Sequence, residues 1–404
     1  MRIAPLLLLL SVATTANAQW EIQDSHTTAS LRGIHALGKG VAWASGTNGA
    51  VLRTTDDGKH WEPCTTPPGA EKLDFRGIQA FDANTAIVMS SGKGDLSRLY
   101  KTTDACQTWK LVFTNPDKEG FWDAVVAHLN VTGSDTGCNS NSPMIVGSIL
   151  GDPTVHKVTP VDTTTIPSFF LGNFELGAAC GKDTLDSNPF SIFSLPKEAA
   201  FAASNSVLAQ LGPGTYWLAV GHRLIQYNVG TTRPSHFNAA SFCDIAIPLG
   251  HHSESAGVFS LAITPGSVEQ PKAIKLVGFH WKATSCQKAN MVVVGGDYKA
   301  VDDRQNTAAF TGGTNKFQVA NTLPGGYRSA VAYDPTHKTW ITVGPNGTDI
   351  STDDGRNWRA LTPTTNEPPD ADKNWNALSL PFVVGPKGRI GKLRPNALIP
   401  PTKP

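Results

Sequence analysis

Short apolar runs separated by turn residues recur along the whole chain, and they are of two alternating kinds. The first kind mixes apolar residues with small or polar ones, and its copies are residues 31–37, 75–81 and 327–333, with looser copies beginning near residues 121, 200, 258 and 375. The second kind follows each copy as a continuous run of β-branched or small residues, namely residues 41–46, 86–91, 144–147, 217–221, 291–295, 340–344 and 382–385. Runs of this length closed by turns are typical of β-strands, and the continuous ones of strands buried on both faces.

These paired runs predict an all-β fold, a seven-bladed β-propeller of four-stranded antiparallel blades. The mean repeat of roughly fifty residues falls within the range typical of propellers. A lone strand-like segment, Trp20–Gln23, precedes the first repeat, and only three strand-like runs follow Trp375. We therefore expect the N-terminal strand to complete the last blade beside the strand near Ile390, since this leaves no open edge in the ring. The propeller would span residues 19–394, followed by a proline-rich tail, residues 395–404.

A motif of eight residues, Ser/Thr-x-Asp-x-Gly-x-x-Trp, occurs three times, at residues 54–61, 102–109 and 351–358. The Asp is expected to accept hydrogen bonds from its own turn, the Gly to adopt a left-handed conformation, and the Trp to pack beneath the turn. Cys106 stands in the second copy where Gly is expected. The motif resembles the Asp-box (BNR-type) hairpins of sialidase-like β-propellers, which implies a structural role for Asp56, Gly58, Trp61, Asp104, Trp109, Asp353, Gly355 and Trp358.

The first 18 residues have the features of a secretory signal peptide. A basic start is followed by an apolar stretch and by Ala16-Asn17-Ala18, a small-residue cleavage site. We therefore expect a periplasmic or secreted protein. Of the 34 Lys and Arg residues only Arg2 lies in this segment, against 33 Asp and Glu residues, so the mature chain is formally neutral. This balance argues against nucleic-acid partners, and no apolar segment of the mature chain is long enough for membrane insertion.

Six cysteines lie beyond the signal peptide, and none forms a Cys-x-x-Cys pair. Their even number in an exported chain predicts disulfides rather than a metal site. We expect Cys64–Cys106, which would tie two neighbouring repeats, together with Cys180–Cys243 and Cys138–Cys286. Two stretches, residues 128–200 and 262–290, have weak periodicity and much Ser, Thr, Pro and Gly. They are expected to be insertions, as loops or extra hairpins on the rim or a face.

The arrangement of an Arg-bearing inner strand, a buried strand ending in Gly and an Asp-box hairpin resembles the photosystem II assembly and stability factors and their bacterial relatives. This resemblance implies a seven-bladed propeller that binds a client protein without catalysis. In photosynthetic members the client is a precursor of a reaction-centre subunit, bound with help from an arginine-rich patch. Arg32, Arg76 and Arg328 are the residues that could correspond here.

Inner strands begin at one face of a propeller and the second strands return to it, so residues from both places meet around the channel mouth. A concave polar mouth is the default binding site. The candidates from these positions are Arg32, Arg76, Asp123, Asp152, Asp297, Arg328, Asn374 and Asn376. The arginines would bind an acidic segment of a client, or else brace neighbouring blades through buried carboxylates. Asp152 and Asp297 each follow a strand and could also be turn formers.

Catalytic patterns are weak in this sequence. A sialidase needs three arginines that converge on the substrate carboxylate, a Tyr–Glu pair and an acidic proton donor, and no Glu falls at a mouth position. We therefore predict a non-catalytic, monomeric scaffold that binds a protein or peptide client and needs neither a cofactor nor a metal. The alternative is a glycan-directed protein, either a sialidase-like glycosidase or a lectin.

Overall fold

The computed structural model describes residues 19–130, 144–157, 165–176, 183–186, 192–193, 198–201, 203–212, 215–228, 241–249, 253–266, 276–277, 280–281, 286–363 and 367–398. Strands dominate this part of the chain, and one turn of 3-10 helix spans Gly94–Leu96. In chain order the strands are β1 (Trp20–Gln23), β2 (Leu31–Gly38), β3 (Val41–Gly46), β4 (Val51–Thr54), β5 (Glu62–Pro63), β6 (Phe75–Ala80), β7 (Ala86–Ser90), β8 (Arg98–Thr102), β9 (Lys110–Thr114), β10 (Trp122–Asn130), β11 (Met144–Lys157), β12 (Thr165–Leu176), β13 (Thr184–Asp186), β14 (Ile192–Phe193), β15 (Leu208–Gly212), β16 (Thr215–Val220), β17 (Arg223–Asn228), β18 (Ser241–Ala246), β19 (Ala256–Ile263), β20 (Leu276–Val277), β21 (His280–Trp281), β22 (Met291–Asp297), β23 (Ala308–Phe310), β24 (Gln318–Val319), β25 (Ala330–Asp334), β26 (Thr339–Gly344), β27 (Gly347–Ser351), β28 (Arg359–Ala360), β29 (Ala377–Ser379), β30 (Phe382–Val384) and β31 (Ile390–Leu393).

Antiparallel sheets are arranged around a closed ring, and we number them in chain order. Sheet one is β2–β5, sheet two β6–β9, sheet three β10–β14, sheet four β15–β18, sheet five β19 with β22–β24, sheet six β25–β28, and sheet seven β29–β31 with β1. The inner strands β2, β6, β10, β15, β19, β25 and β29 contact one another in this order, and β29 contacts β2. Apolar clusters fill the spaces between adjacent sheets, as expected when each sheet is buried on both faces. The fold is therefore an all-β propeller.

The prediction of seven four-stranded blades is wrong: among the described residues six sheets are four-stranded blades, sheet three has five strands, and β20 pairs with β21 in a separate two-stranded sheet. Its second strand does not end at Gly147, as the repeat pattern suggested, but continues to Lys157. The residues beyond Gly151 pair only with β12 among the described residues, and β14 joins β12 at Ser168. Sheet three therefore carries a hairpin that extends about 20 Å beyond Trp122, the first residue of β10.

The N-terminal strand closes the ring at sheet seven. It pairs antiparallel with β31, from Trp20 opposite Leu393 to Gln23 opposite Ile390, which confirms the position predicted for it. Trp20 is buried, its ring lies 6.0 Å from that of Trp375, and its Nε1 donates to the Thr348 hydroxyl of sheet six at 3.3 Å. This strand therefore supplies both the outer edge of its own sheet and packing against the neighbouring sheet.

Each of the three motif turns is held by the same hydrogen bonds. In the first copy, Asp56 Oδ1 accepts from the Thr54 hydroxyl at 2.9 Å and from the His60 N–H at 3.0 Å, while Thr54 Oγ1 accepts from the Gly58 N–H at 3.0 Å. The corresponding bonds recur around Asp104 and Asp353. Both central residues of each turn have positive φ, so the left-handed conformation extends to the residue before the Gly position.

Two disulfides join neighbouring sheets of the ring. Cys64, directly after β5, is bonded to Cys106 of the second motif turn, as predicted. Cys243 on β18 is bonded to Cys286, which precedes β22 in sheet five. The predicted pairs Cys180–Cys243 and Cys138–Cys286 are therefore wrong. The observed partners come from outer positions of adjacent sheets, where packing brings their Cα atoms to 5.4 Å.

Several predicted features lie outside the described residues. They are the signal peptide, residues 1–18; the end of the proline-rich tail, residues 399–404; Cys138 and Cys180; and parts of both insertions. Among the residues that are described, no helix has the length and hydrophobicity needed to cross a membrane.

Candidate functional site

The glycines that end the second strands allow a close approach to the inner strands at the channel mouth. A Cβ on Gly46, Gly295, Gly344 or Gly385 would lie 1.9–2.4 Å from a main-chain carbonyl oxygen at the start of the paired inner strand. Real Cβ atoms do not approach so closely, so only glycine fits at these positions. In sheets one and five the inner strand also has one extra residue opposite this glycine, a β-bulge that turns a side chain out of the regular alternation.

The bulge residues are equivalent positions around the mouth. Pairing skips Arg32 in sheet one, Arg76 in sheet two, Asp123 in sheet three and Phe259 in sheet five. Bulges redirect side chains and are common beside binding sites. Arg32 and Arg76 therefore occupy equivalent bulge positions on adjacent sheets.

Asp74 bridges these two arginines. The Nε of Arg76 donates to one carboxylate oxygen of Asp74 at 2.8 Å, and the Nε of Arg32 lies 3.4 Å from the other. Both arginine side chains are 32% exposed and Asp74 is 22% exposed, so solvent and ligands can reach the cluster. Two guanidinium groups therefore lie beside one carboxylate in this cluster. An ion pair exposed to this degree stabilises the fold little.

Arg328 does not join this cluster, although it is the second residue of its repeated run, as Arg32 is. The Leu31 N–H donates to the strand-ending Gly385, and the Arg328 N–H donates to the strand-ending Gly295 in the same way. Arg328 is therefore the counterpart of Leu31, one residue before the bulge position.

Burial follows from this shift of one residue. Arg328 is 1% exposed, and its Nε donates to Asp349 at 2.8 Å while its Nη2 contacts the same carboxylate oxygen. Its Nη1 donates to the Tyr327 carbonyl at 2.9 Å and to Asn346. Asp349 lies on β27 of the same sheet, so Arg328 braces sheet six from within and does not face the mouth.

Two predicted carboxylates at the mouth are buried. Asp123 is 4% exposed and Asp297 is 7% exposed. Burial alone would raise the pKa of Asp297, but hydrogen bonds from the hydroxyls of Ser253 and Ser255 and from the Lys299 N–H lower it to about 2. Asp297 is therefore a charged residue that joins the turn after β22 to the residues before β19. This agrees with the alternative that Asp297 forms a turn.

The remaining predicted residues have different environments. Asn376 donates from Nδ2 to the Leu31 carbonyl at 2.7 Å and so joins sheet seven to sheet one. Asn374 is exposed, with a φ of 62°, and its N–H donates to Pro345 of sheet six at 3.0 Å. The backbone of Asp152 lies in β11 where the hairpin of sheet three begins, and its side chain is outside the described part of the structure.

Aromatic rings occupy the opposite side of the mouth. Phe259, at the bulge of sheet five, stacks on Phe201 at 4.3 Å and meets the edge of Tyr327 at 4.8 Å. Burial raises the pKa of the Tyr327 hydroxyl, and the positive charge of Arg32 opposes this rise. Arg32 therefore lies within electrostatic reach of sheet six. The mouth is asymmetric, with arginines on sheets one and two and aromatic rings on sheets four to six.

Asp74 and Phe259 were not among the residues predicted from the sequence. Asp74 stands two residues before Arg76, and an acidic residue so close to a predicted ligand was a usable signal. Phe259 could not be found in this way, because it is a mouth residue only through the bulge in sheet five. Within the described residues, no group of three or more His, Cys, Asp or Glu side chains is placed to hold a metal ion. The three converging arginines of a sialidase are not assembled, since Arg328 is buried.

The described residues thus form a propeller in which two partly exposed arginines and a group of buried aromatic rings lie on different sheets. Among solved structures, the chain is similar to YCF48 bound to D1 peptide, with 14% identity over 94% of this chain and 97% of that chain and a TM-score of 0.55. It is also similar to YCF48 from Cyanidioschyzon merolae, with 15% identity over 94% of this chain and 100% of that chain and a TM-score of 0.51. At these identities both likenesses support the propeller fold. No protein-family model matches the chain, and no curated protein does so either.

Proposed function

We propose that this protein is an exported, non-catalytic propeller scaffold that binds a segment of a client protein across the channel mouth. The observation that carries this proposal is the cluster of Arg32, Asp74 and Arg76, in which two partly exposed guanidinium groups lie beside one carboxylate. Guanidinium groups bind carboxylates with two parallel hydrogen bonds, so an acidic side chain or a terminal carboxylate of the client would bind here.

Two further observations support this proposal. One solved structure of similar fold, YCF48, is bound to D1 peptide, so this architecture can hold a peptide. The two disulfides favour a compartment outside the reducing cytoplasm.

Peptide binding by residues 19–404 tests the proposal. An array of synthetic decapeptides that differ in acidic content would be probed with the wild-type protein and with Arg32→Ala, Arg76→Ala and Arg359→Ala. Arg359 is exposed on β28 and serves as the control. We expect the wild-type protein to bind acidic peptides, and Arg32→Ala and Arg76→Ala to bind them with about 10-fold lower affinity. The affinity for acidic peptides should depend more strongly on salt concentration than the affinity for neutral peptides. Equal binding by all variants would contradict the assignment of the mouth, and binding to a glycan array instead of peptides would favour the glycan-directed alternative.

A further inference from the structure

Exposed apolar side chains are concentrated at the channel mouth. In the described part of the chain six large hydrophobic residues are exposed, and three of them lie on this face: Leu96 at 48%, Phe121 at 40% and Tyr298 at 47%. The others lie on outer strands or near the far end of an inner strand. Single exposed apolar residues are common on protein surfaces, whereas neighbouring ones beside a polar site indicate binding.

Leu96 and Phe121 belong to two loops that are fastened together. The Gly94 N–H donates to the Gly120 carbonyl at 3.0 Å, and the Trp122 N–H donates to the Ser97 hydroxyl at 3.0 Å. Gly94 has a φ of 60°, and a Cβ there would lie 2.8 Å from a main-chain oxygen of the facing loop, so the close approach requires glycine. The two exposed side chains are thus displayed on adjoining, fixed backbone, and we call this pair the apolar step.

The apolar step shares its frame with the arginine cluster. The loop that carries Leu96 begins at Ser91, whose N–H donates to the Asp74 carbonyl at 3.0 Å. The side chain of the same Asp74 bridges Arg32 and Arg76. Asp74, at the edge of sheet two, therefore connects the arginine cluster to the loop that carries Leu96. The ion pair of Lys93 with Glu119, at 2.5 Å, joins the same two loops in solvent.

We propose that the apolar step binds an apolar side chain of the same client segment whose carboxylate binds Arg32 and Arg76. This inference rests on the proposed function and specifies the client chemistry: an extended segment with an acidic group and, a few residues away, a large apolar side chain. Charge complementarity favours this occupant, because the partly exposed guanidinium groups of Arg32 and Arg76 attract an acidic partner. Two side chains cover too little area for a stable contact between two copies of the chain.

A peptide library tests this inference separately from the proposed function. Synthetic decapeptides would carry one Asp at a fixed position and either Leu or Ser at each other position. The best-binding peptide would then be titrated by fluorescence anisotropy against wild type, Leu96→Ser, Phe121→Ser and Leu111→Ser. Leu111 is a matched control, because it is 45% exposed and lies on β9, the outer strand of the same sheet as Leu96. Thermal unfolding would verify that each variant is folded.

We expect Leu96→Ser and Phe121→Ser to weaken binding about 5- to 30-fold and to lose the preference for Leu while the preference for Asp remains. Leu111→Ser should bind like wild type. If the step variants behave like Leu111→Ser while Arg76→Ala still weakens binding, the apolar step is not a client site although the proposed function stands. If Arg76→Ala also has no effect, the proposed function fails. If the step variants changed only the sedimentation of the protein alone, the inference would be overturned in favour of self-association. If they changed only binding to anionic phosphatidylglycerol vesicles, it would be overturned in favour of a lipid surface.

Discussion

Cys106 is disulfide-bonded to Cys64 at the motif position where the other two turns carry Gly58 and Gly355. All three residues have positive φ, 61° for Cys106, 82° for Gly58 and 80° for Gly355. A Cβ on Gly58 would lie 2.7 Å from the Phe382 ring of sheet seven. The position therefore points toward the preceding sheet in each copy. Two turns leave no room there for a side chain, and the second turn uses the same direction for a covalent bond.

Replacing this disulfide should expose the conformational cost at residue 106. We expect Cys64→Ala/Cys106→Ala to lower the free energy of unfolding by about 2–4 kcal/mol, because the crosslink no longer restricts the unfolded chain. Cys64→Ala/Cys106→Gly lacks the same bond but suits the left-handed backbone, so it should be about 1 kcal/mol more stable than the Ala pair. Denaturant unfolding measures both differences. Equal stability of the two double variants would show that the backbone at residue 106 carries no strain.

Trp20 should contribute far more to stability than its neighbour in the same strand. It is buried against Trp375 and bonded to Thr348, so Trp20→Ala should cost about 3–5 kcal/mol. Glu21→Ala is the control, since its ion pair with Arg394 is exposed and such pairs contribute little. Chemical denaturation would compare the two. A small effect of Trp20→Ala would mean that sheet seven is stable without its outer strand.

Arg328 and Arg76 should separate stability from binding. Lys cannot reproduce the fork that holds Asp349, so Arg328→Lys should lower the free energy of unfolding by about 2–4 kcal/mol and leave peptide affinity unchanged. Arg76→Lys should instead lower peptide affinity and leave the free energy of unfolding nearly unchanged, because its ion pair with Asp74 is partly exposed. Thermal unfolding and peptide anisotropy on both variants check this. A loss of peptide affinity in a folded Arg328→Lys protein would return Arg328 to the binding site.

His35 should make the ring sensitive to mild acid. Its Nδ1 accepts the Ala80 N–H of sheet two at 2.8 Å, and burial lowers its pKa from 6.5 to about 4. Between these two values the unfolded chain binds a proton that the folded protein does not, so stability is complete above about pH 6.5 and falls as the pH approaches 4.

The loss attributable to His35 should be on the order of 3 kcal/mol. The free energy of unfolding would be measured from pH 7 to pH 4 for wild type and for His35→Gln, which keeps an acceptor but does not titrate. We expect the variant to lose less stability across this range. Asp297 does not confound the comparison, because its pKa of about 2 lies below the range. Parallel curves for the two proteins would exclude His35 as the titrating group.

Local patterns in the sequence were sufficient for the class of fold. The alternating runs, the three motif turns and the lone strand at Trp20 each depend on residues close together in the chain, and hydrophobic periodicity and turn chemistry record such contacts directly. The motif turns have the hydrogen bonds expected of them, and β1 pairs with β31. The pair Cys64–Cys106 was predictable because Cys64 closely follows the first motif turn and Cys106 lies within the second.

Tertiary structure alone decided the composition of the site. A bulge shifts side-chain direction by one residue, so Arg32 reaches the mouth whereas Arg328, aligned with it in sequence, is buried as the counterpart of Leu31. In sheet one the bulge lies opposite Gly46, where a Cβ would meet the Ser30 carbonyl oxygen, a contact between two strands that no single run reveals. The bond between Cys243 and Cys286 likewise depends on how sheets four and five pack. Sequence periodicity therefore determined the strands, and contacts between sheets determined which of their side chains face a ligand.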